Sequence, residues 1–166
     1  MKNNQGFTLI ELIVVIVILG ILAVTAAPKF LNLQTDAHKS LMQGVYGSFN
    51  TALDLYHTQW LVEGEPDLVT GYANGKLYAN AAGYPVSDKD DGNVYGEGCK
   101  VIFESLIDTD ITLIAEADKS NANVGDIIYH YTGDARCYYS YLDNNQEITT
   151  IHYDPSNRNV TIDFPK

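Results

Sequence analysis

The first apolar stretch, LIVVIVILGILAVTAA from Leu12 to Ala27, has sixteen residues and no charge; counted back to Phe7 it reaches twenty-one, broken by Glu11 alone. A helix over those twenty-one residues, at about 1.5 Å each, spans about 31 Å, close to the roughly 30 Å of a bilayer's hydrocarbon core. Its Ile and Val would suit a strand in water. In lipid a lone segment meets its backbone hydrogen bonds only as a helix, so the pattern predicts one membrane crossing. Beyond Pro28 the apolar positions Leu33, Ala37, Leu41, Val45, Phe49, Ala52, Tyr56 and Trp60 recur at steps of three or four. Asp36, Lys39, Gln43, Asn50 and Asp54 fall mainly off that stripe. The spacing predicts a helix with its apolar side on a core and its polar side outward. Continuous from Phe7 to Trp60, it would have fifty-four residues and a length of about 81 Å, its first half protruding and its second half packed. Gly20 lowers helix propensity inside the apolar span, and the Pro28 ring opposes the Val24 carbonyl, so a kink near Val24 to Pro28 is expected.

The stretch from about residue 61 to 98 holds Gly64, Gly71, Gly75, Gly83, Gly92, Gly96 and Gly98 with Pro66 and Pro85, and reads as a long loop with short strands. Cys99, Ile102, Phe103 and Leu106 then fall at i, i+3, i+4, i+7, a short helix that presses Cys99 inward. The last third alternates. Ile127, Tyr129 and Tyr131 oppose Ile128 and His130; Cys137, Tyr139 and Tyr141 oppose Tyr138 and Ser140; Ile151 and Tyr153 oppose Thr150 and His152; Val160, Ile162 and Phe164 oppose Thr161 and Asp163. Four strands joined by Thr132-Gly133-Asp134, Asp143-Asn144-Asn145-Gln146 and Pro155-Ser156-Asn157-Arg158 predict an antiparallel meander.

Composition narrows the function. A chain of 166 residues, 46% hydrophobic and 19% charged, can bury a core. Its formal charge of −11 repels phosphates and excludes nucleic-acid binding as a main role. The charge is uneven: residues 31–166 carry eight basic and twenty acidic side chains, net −12, behind a near-neutral apolar head. Cys99 and Cys137 permit one intramolecular disulfide, which would put the body outside the cytoplasm; a pair of buried free thiols is the alternative. No C-x-x-C or H-x-x-x-H spacing supports a zinc site.

Other candidate chemistry is thin. Asp88-Lys89-Asp90-Asp91-Gly92-Asn93 has the oxygen density for calcium, but its glycine comes one position early for an EF-hand loop and the distant bidentate glutamate is missing, so it reads as a solvated acidic turn. His130 and His152 occupy comparable faces of neighbouring predicted strands, where a metal could be drawn in with Asp126 or Asp154; polar sheet-surface histidines are the simpler reading. No metal or cofactor is assigned. No nucleophile elbow, S-x-x-K pair or phosphate loop occurs, and nothing points to an enzyme. Twelve tyrosines and Trp60 offer faces for sugar stacking, although cross-strand aromatic pairing explains most of them without a ligand.

The head carries the most specific signal. As a secretory signal peptide ending at Thr25-Ala26-Ala27 it would be overlong, carry a carboxylate near its start and be cut before Pro28. A plain anchor also leaves Glu11 unexplained, since a carboxylate among apolar residues at bilayer depth costs a few kcal/mol unless a partner relieves it. Read as one unit, Gly6-Phe7-Thr8-Leu9-Ile10-Glu11-Leu12 before an apolar helix resembles the type IV prepilin signature. The resemblance implies a peptidase cut after Gly6 and methylation of the new amino terminus at Phe7. Glu11 then matches the family glutamate that pairs with the N-terminal amine of a neighbouring subunit, here that of Phe7. Removing Met1 to Gly6 leaves 160 residues with net charge −12.

AAPKFLNLQTDAHKSLMQG, residues 26 to 44, resembles the mannose-sensitive haemagglutinin class of these pilins, and CYYSYL and ITTIHYDPSNRNVTIDF are similar in kind. The resemblance implies an α+β pilin fold, a long N-terminal helix on a roughly four-stranded antiparallel sheet, divided into a leader (1–6), an apolar transmembrane and assembly helix (7–30) and a globular domain (31–166). It implies a structural subunit that polymerises with other pilins and supports attachment and biofilm formation. Its partners would be a prepilin peptidase, an assembly platform with its ATPase, an outer-membrane secretin and surface glycans. The subunit would wait in the inner membrane and end in an extracellular pilus. In many such pilins the second cysteine lies nearer the C-terminus, whereas twenty-nine residues follow Cys137. A pseudopilin of type II secretion shares the N-terminal device, and an exported sugar-binding protein on an uncut anchor remains the alternative of another class.

Overall fold

A computed structural model describes residues 7–89, 93–143 and 146–164. Helix α1 spans Leu9–Val62. It stops where Gly64 turns left-handed at φ +85°: the Gly64 N–H donates to the Leu61 carbonyl at 3.2 Å and the Glu65 N–H to the Trp60 carbonyl at 2.9 Å. That pair of bonds is a Schellman cap, which glycine enters without the penalty of a Cβ.

The chain divides into two compact units between His38 and Lys39. In the first, the stretch Leu9–Ala26 has a mean hydropathy of 3.0 and none of it is buried. This helix is long and apolar enough to cross a membrane.

In the second unit a hairpin pairs β1 (Tyr78–Ala79) with β2 (Pro85–Ser87), and helix α2 covers Gly96–Leu106. A five-stranded sheet follows in the order β3 (Leu113–Ala115), β4 (Ile127–Tyr131), β5 (Cys137–Asp143), β6 (Gln146–Asp154), β7 (Asn159–Asp163). The meander β4 to β7 is antiparallel, as the alternation predicts. β3 is an addition to it: it lies parallel to β4, with Leu113 opposite Ile127, and the crossover runs through a 3₁₀ turn at Glu116–Asn121. Lys119 in that turn pairs with Glu147 on β6 at 2.5 Å.

The core forms between α1, α2 and one face of the sheet. Met42, Phe49, Leu53 and Tyr56 from α1 are fully buried, as are Cys99, Ile102 and Phe103 from α2 and Ile127, Tyr139, Ile151 and Tyr153 from the strands. Phe49 sits at the hub, its ring 5.9 Å from Phe103, 5.7 Å from Tyr139 and 5.5 Å from Tyr153. The α1 stripe holds from Val45 to Trp60 but not before it: Leu33 is 64% and Leu41 43% exposed. Two residues outside the predicted stripe, Met42 and Leu53, complete the face. They lie three and four positions from Val45 and Phe49 and widen it to the broad stripe a sheet requires.

Candidate assembly site

Thr8 stands immediately before helix α1, and Glu11 is its third helical residue. The Thr8 amide donates to Glu11 Oε2 at 2.8 Å, the Thr8 hydroxyl donates to the same oxygen at 2.8 Å, and the Glu11 amide reaches Thr8 Oγ1 at 3.4 Å. These reciprocal bonds form a capping box, which satisfies donors that a helix start otherwise leaves orphaned. A carboxylate there also opposes the positive end of the helix dipole. The signature T-x-x-E before an apolar run is legible at Thr8-Leu9-Ile10-Glu11, and Thr8 is the residue that reading Glu11 alone passes over.

Phe7 precedes the cap with its side chain 89% exposed. Phe7, Ile10, Glu11, Val14 and Val15 line an open, apolar cleft of about 320 Å³. The arrangement sets one carboxyl group, that of Glu11, beside an apolar surface. Gly6, the residue before the expected cut, lies outside the described residues. Gly20 is helical with no neighbouring atom within 4 Å of where a Cβ would stand. Pro28 lies within α1, and its side chain lies outside the described residues.

Cys99 on α2 and Cys137 at the start of β5 are joined in a disulfide, their Cα atoms 5.4 Å apart, and both are fully buried. The bond is seconded by the Tyr139 hydroxyl, which donates to the Cys99 carbonyl at 2.7 Å. Tyr129 donates to Glu97 at 2.9 Å, a second tie from sheet to α2; burial, then that bond, pushes its phenol up to about 12.

The remaining candidates do not converge. His130 and His152 are not on neighbouring strands: β5 lies between them, and Tyr138 fills the space, its ring 4.7 Å from His130 and 4.8 Å from His152. His152 lies 3.1 Å from Asp163 and His130 lies 3.7 Å from Glu116, so each faces a different carboxylate. Asp126 accepts the Asn123 amide at 2.7 Å and Asp154 bonds Arg136 at 3.1 Å, which directs neither toward the histidines. Among the described residues no group of three His, Cys, Asp or Glu could hold a metal. Of the acidic turn, Asp88 accepts the Tyr95 hydroxyl proton, and residues 90–92 lie outside the described residues. Trp60 is only 8% exposed, stacks on His57 at 5.3 Å and donates its indole N–H to the Pro66 carbonyl, so it offers no open face to a sugar.

Residues 1–27 match the family described as the prokaryotic N-terminal methylation motif. The type IV major fimbrial protein FimA of Dichelobacter nodosus is 33% identical over 126 residues, which cover 74% of this chain and 70% of that protein. The chain belongs to the type IV pilins. The type IV major pilin protein PilA of Myxococcus xanthus is 36% identical over 89 residues, 51% of this chain and 38% of that protein. The type II secretion system core protein G of Pseudomonas aeruginosa is 40% identical over 55 residues, 33% of this chain and 39% of that protein. The chain thus spans well under two thirds of the last two relatives, and the fimbrial likeness reaches across more than twice as much of it as the secretion likeness. No solved structure matches it.

Proposed function

We infer that the chain is the structural subunit of a type IV pilus and works by polymerisation rather than catalysis. The observation that carries this reading is the placement of Glu11 in the first turn of an apolar helix with no buried side chain among its described first eighteen residues. A carboxylate in lipid or in a filament's apolar interior is costly until a positive charge meets it, so docking is favoured in the register that pairs the two. The positive charge is the amine of Phe7 on a second copy, freed by cleavage after Gly6 and then N-methylated. Gly20 and Pro28 are the weak points at which the helix bends or melts on packing.

The division of labour is a leader over 1–6, a membrane and assembly helix over 7–30 and an exposed pilin domain over 31–166. A prepilin peptidase processes the chain in the inner membrane, the assembly platform and its ATPase extend the filament, and a secretin passes it to the cell surface. There it supports attachment and biofilm formation, with surface glycans as contacts. The segment from Ala26 to Gly44 supports membership in the mannose-sensitive haemagglutinin class. Mass spectrometry of the purified chain tests the reading: a product six residues shorter that begins with N-methylated Phe7 is expected, and an intact leader on the working protein overturns it.

A pseudopilin of type II secretion is the second reading, favoured by the likeness to core protein G. Micrographs of a deletion strain separate the two: loss of surface filaments supports the pilus, and loss of secreted enzymes with filaments intact supports the pseudopilin.

A further inference from the structure

Just beyond α1 the backbone of Glu65, Pro66 and Asp67 is tied at every residue. The Glu65 amide donates to the Trp60 carbonyl at 2.9 Å, the Pro66 carbonyl accepts the Trp60 indole N–H at 3.0 Å, and the Asp67 carbonyl accepts the Ala79 amide at 2.7 Å. The Glu65 and Asp67 carboxylates, by contrast, make no hydrogen bond and no ion pair among the described residues. Other exposed acids of this unit are met by a cation: Asp54 by Arg158, Glu104 by Lys100 and Asp134 by Arg136. Glu65 and Asp67 line a cleft of about 440 Å³ together with Trp60 and Tyr78.

We propose that this cleft binds an organic ammonium group. Its two charged acceptors sit on a fixed backbone, so a donor that meets them spares the cost of ordering a loop. The Tyr78 ring adds an aromatic wall, which attracts a cation and suits the methylenes that carry it. Lys76, close by in sequence, does not fill the place; it lines a different cleft, with Asp88. The net charge of −12 on residues 31–166 draws cations toward the body.

Two other ligand classes fit less well. A divalent metal wants six or more oxygens, and Glu63, the next carboxylate along the chain, spends its own on Thr70, Gly71 and Gln59. A neutral sugar needs donors as well as acceptors, and the Asn80 amide nitrogen is committed to the Pro155 carbonyl while its oxygen accepts from Ala82 and Tyr84.

N-acetyl-lysine amide, glucosamine and spermidine present the ammonium on three carriers; N-acetyl-norleucine amide and glucose lack it. In magnetic-resonance titrations of the detergent-solubilised full chain, at least one of the three amines should shift the Tyr78 ring and Ala79 amide signals saturably, in the millimolar range expected of exposed charge pairs. The tightest names the carrier. Glu65→Gln with Asp67→Asn should weaken it about tenfold at an unchanged melting midpoint. No saturable shift from any amine, equal shifts from an uncharged compound, or undiminished binding in a folded double variant overturns the proposal. The comparison of charged with uncharged compounds uses the wild type, so it decides the matter even if the double variant unfolds.

A filament would repeat this weak site at every subunit and gain avidity from the repetition. Sheared filaments should therefore hold amine-coated beads and release acetylated ones, and equal retention of both overturns the proposal. This last measurement rests on the polymer reading, whereas the titrations do not: a chain that never forms filaments ends that reading and leaves the cleft to be judged by the titrations.

Discussion

The Glu63 carboxylate accepts the Gly71 amide proton at 2.6 Å, across eight residues of chain. It also accepts from the Thr70 amide at 2.9 Å, the Thr70 hydroxyl at 3.2 Å and Gln59 Nε2 at 2.8 Å. One side chain just beyond α1 thus pins the start of the glycine-rich stretch. The Thr70 amide first, then Gln59, hold its carboxyl down at about 2. A carboxyl lowered on folding contributes stability above its unfolded value of about 4.3, and that contribution is lost as pH falls toward the folded value. Thermal unfolding of the full chain should lose stability between about pH 4.5 and 2, and Glu63→Gln should flatten that part of the curve. A variant that follows the wild-type slope would refute the assignment.

Gly83 and Gly44 should respond to alanine with opposite signs. At Gly83, φ is +77° and a Cβ would meet Trp60 Cε3 at 2.3 Å and His57 Nδ1 at 2.7 Å, inside a stack of rings. Gly83→Ala should cost about 1–3 kcal/mol or more in urea unfolding, through overpacking and left-handed strain together. Gly44 is helical with nothing within 4 Å, so Gly44→Ala should stabilise by about 0.4–1 kcal/mol. The ordering of the two midpoints checks both.

The disulfide closes a long loop, with Cys99 and Cys137 separated by 38 positions. The double variant Cys99→Ala, Cys137→Ala should lose about 2–5 kcal/mol, largely by freeing the unfolded chain. Pulse proteolysis in urea measures the loss, and an unchanged midpoint would show that the bond adds nothing to the packing around it.

Three buried tyrosines use their hydroxyls on backbone carbonyls: Tyr56 on Leu77 at 2.9 Å, Tyr139 on Cys99 at 2.7 Å and Tyr153 on Pro85 at 2.9 Å. Burial pushes all three phenols up. Tyr153→Phe should cost about 1–2 kcal/mol, because it leaves a buried carbonyl with a lost partner. Ultraviolet titration supplies a second check: these three should ionise only when the chain unfolds at high pH.

Periodicity made the helices and four of the strands readable. Cys99, Ile102, Phe103 and Leu106 point inward from α2 as their spacing predicts, and β4 to β7 pair in sequence as their alternation predicts. β3 escaped because Leu113-Ile114-Ala115 is too short to show alternation, and its pairing is to a strand twelve residues on, fixed by the crossover rather than by any local pattern. Leu33 and Leu41 misled because apolar spacing marks a helix face without saying what covers it. Glu11 stood out in the sequence as a lone carboxylate in an apolar run, and the structure places it in the first turn of α1 on the Thr8 cap. Thr8 needed the cap geometry to be seen, although its three-residue offset from Glu11 was in view.

The core joins Met42 to Trp60 with strands that begin at Ile127 and end near Val160, so the first of those strand residues comes 67 positions after Trp60. Loop closure over such a distance delays folding. Until the strands that carry Tyr139 and Tyr153 have been delivered, Phe49 lacks two of the rings it packs against. Each newly made copy therefore passes through an interval in which this greasy ridge is bare, and that interval closes only when the tail of the chain has arrived.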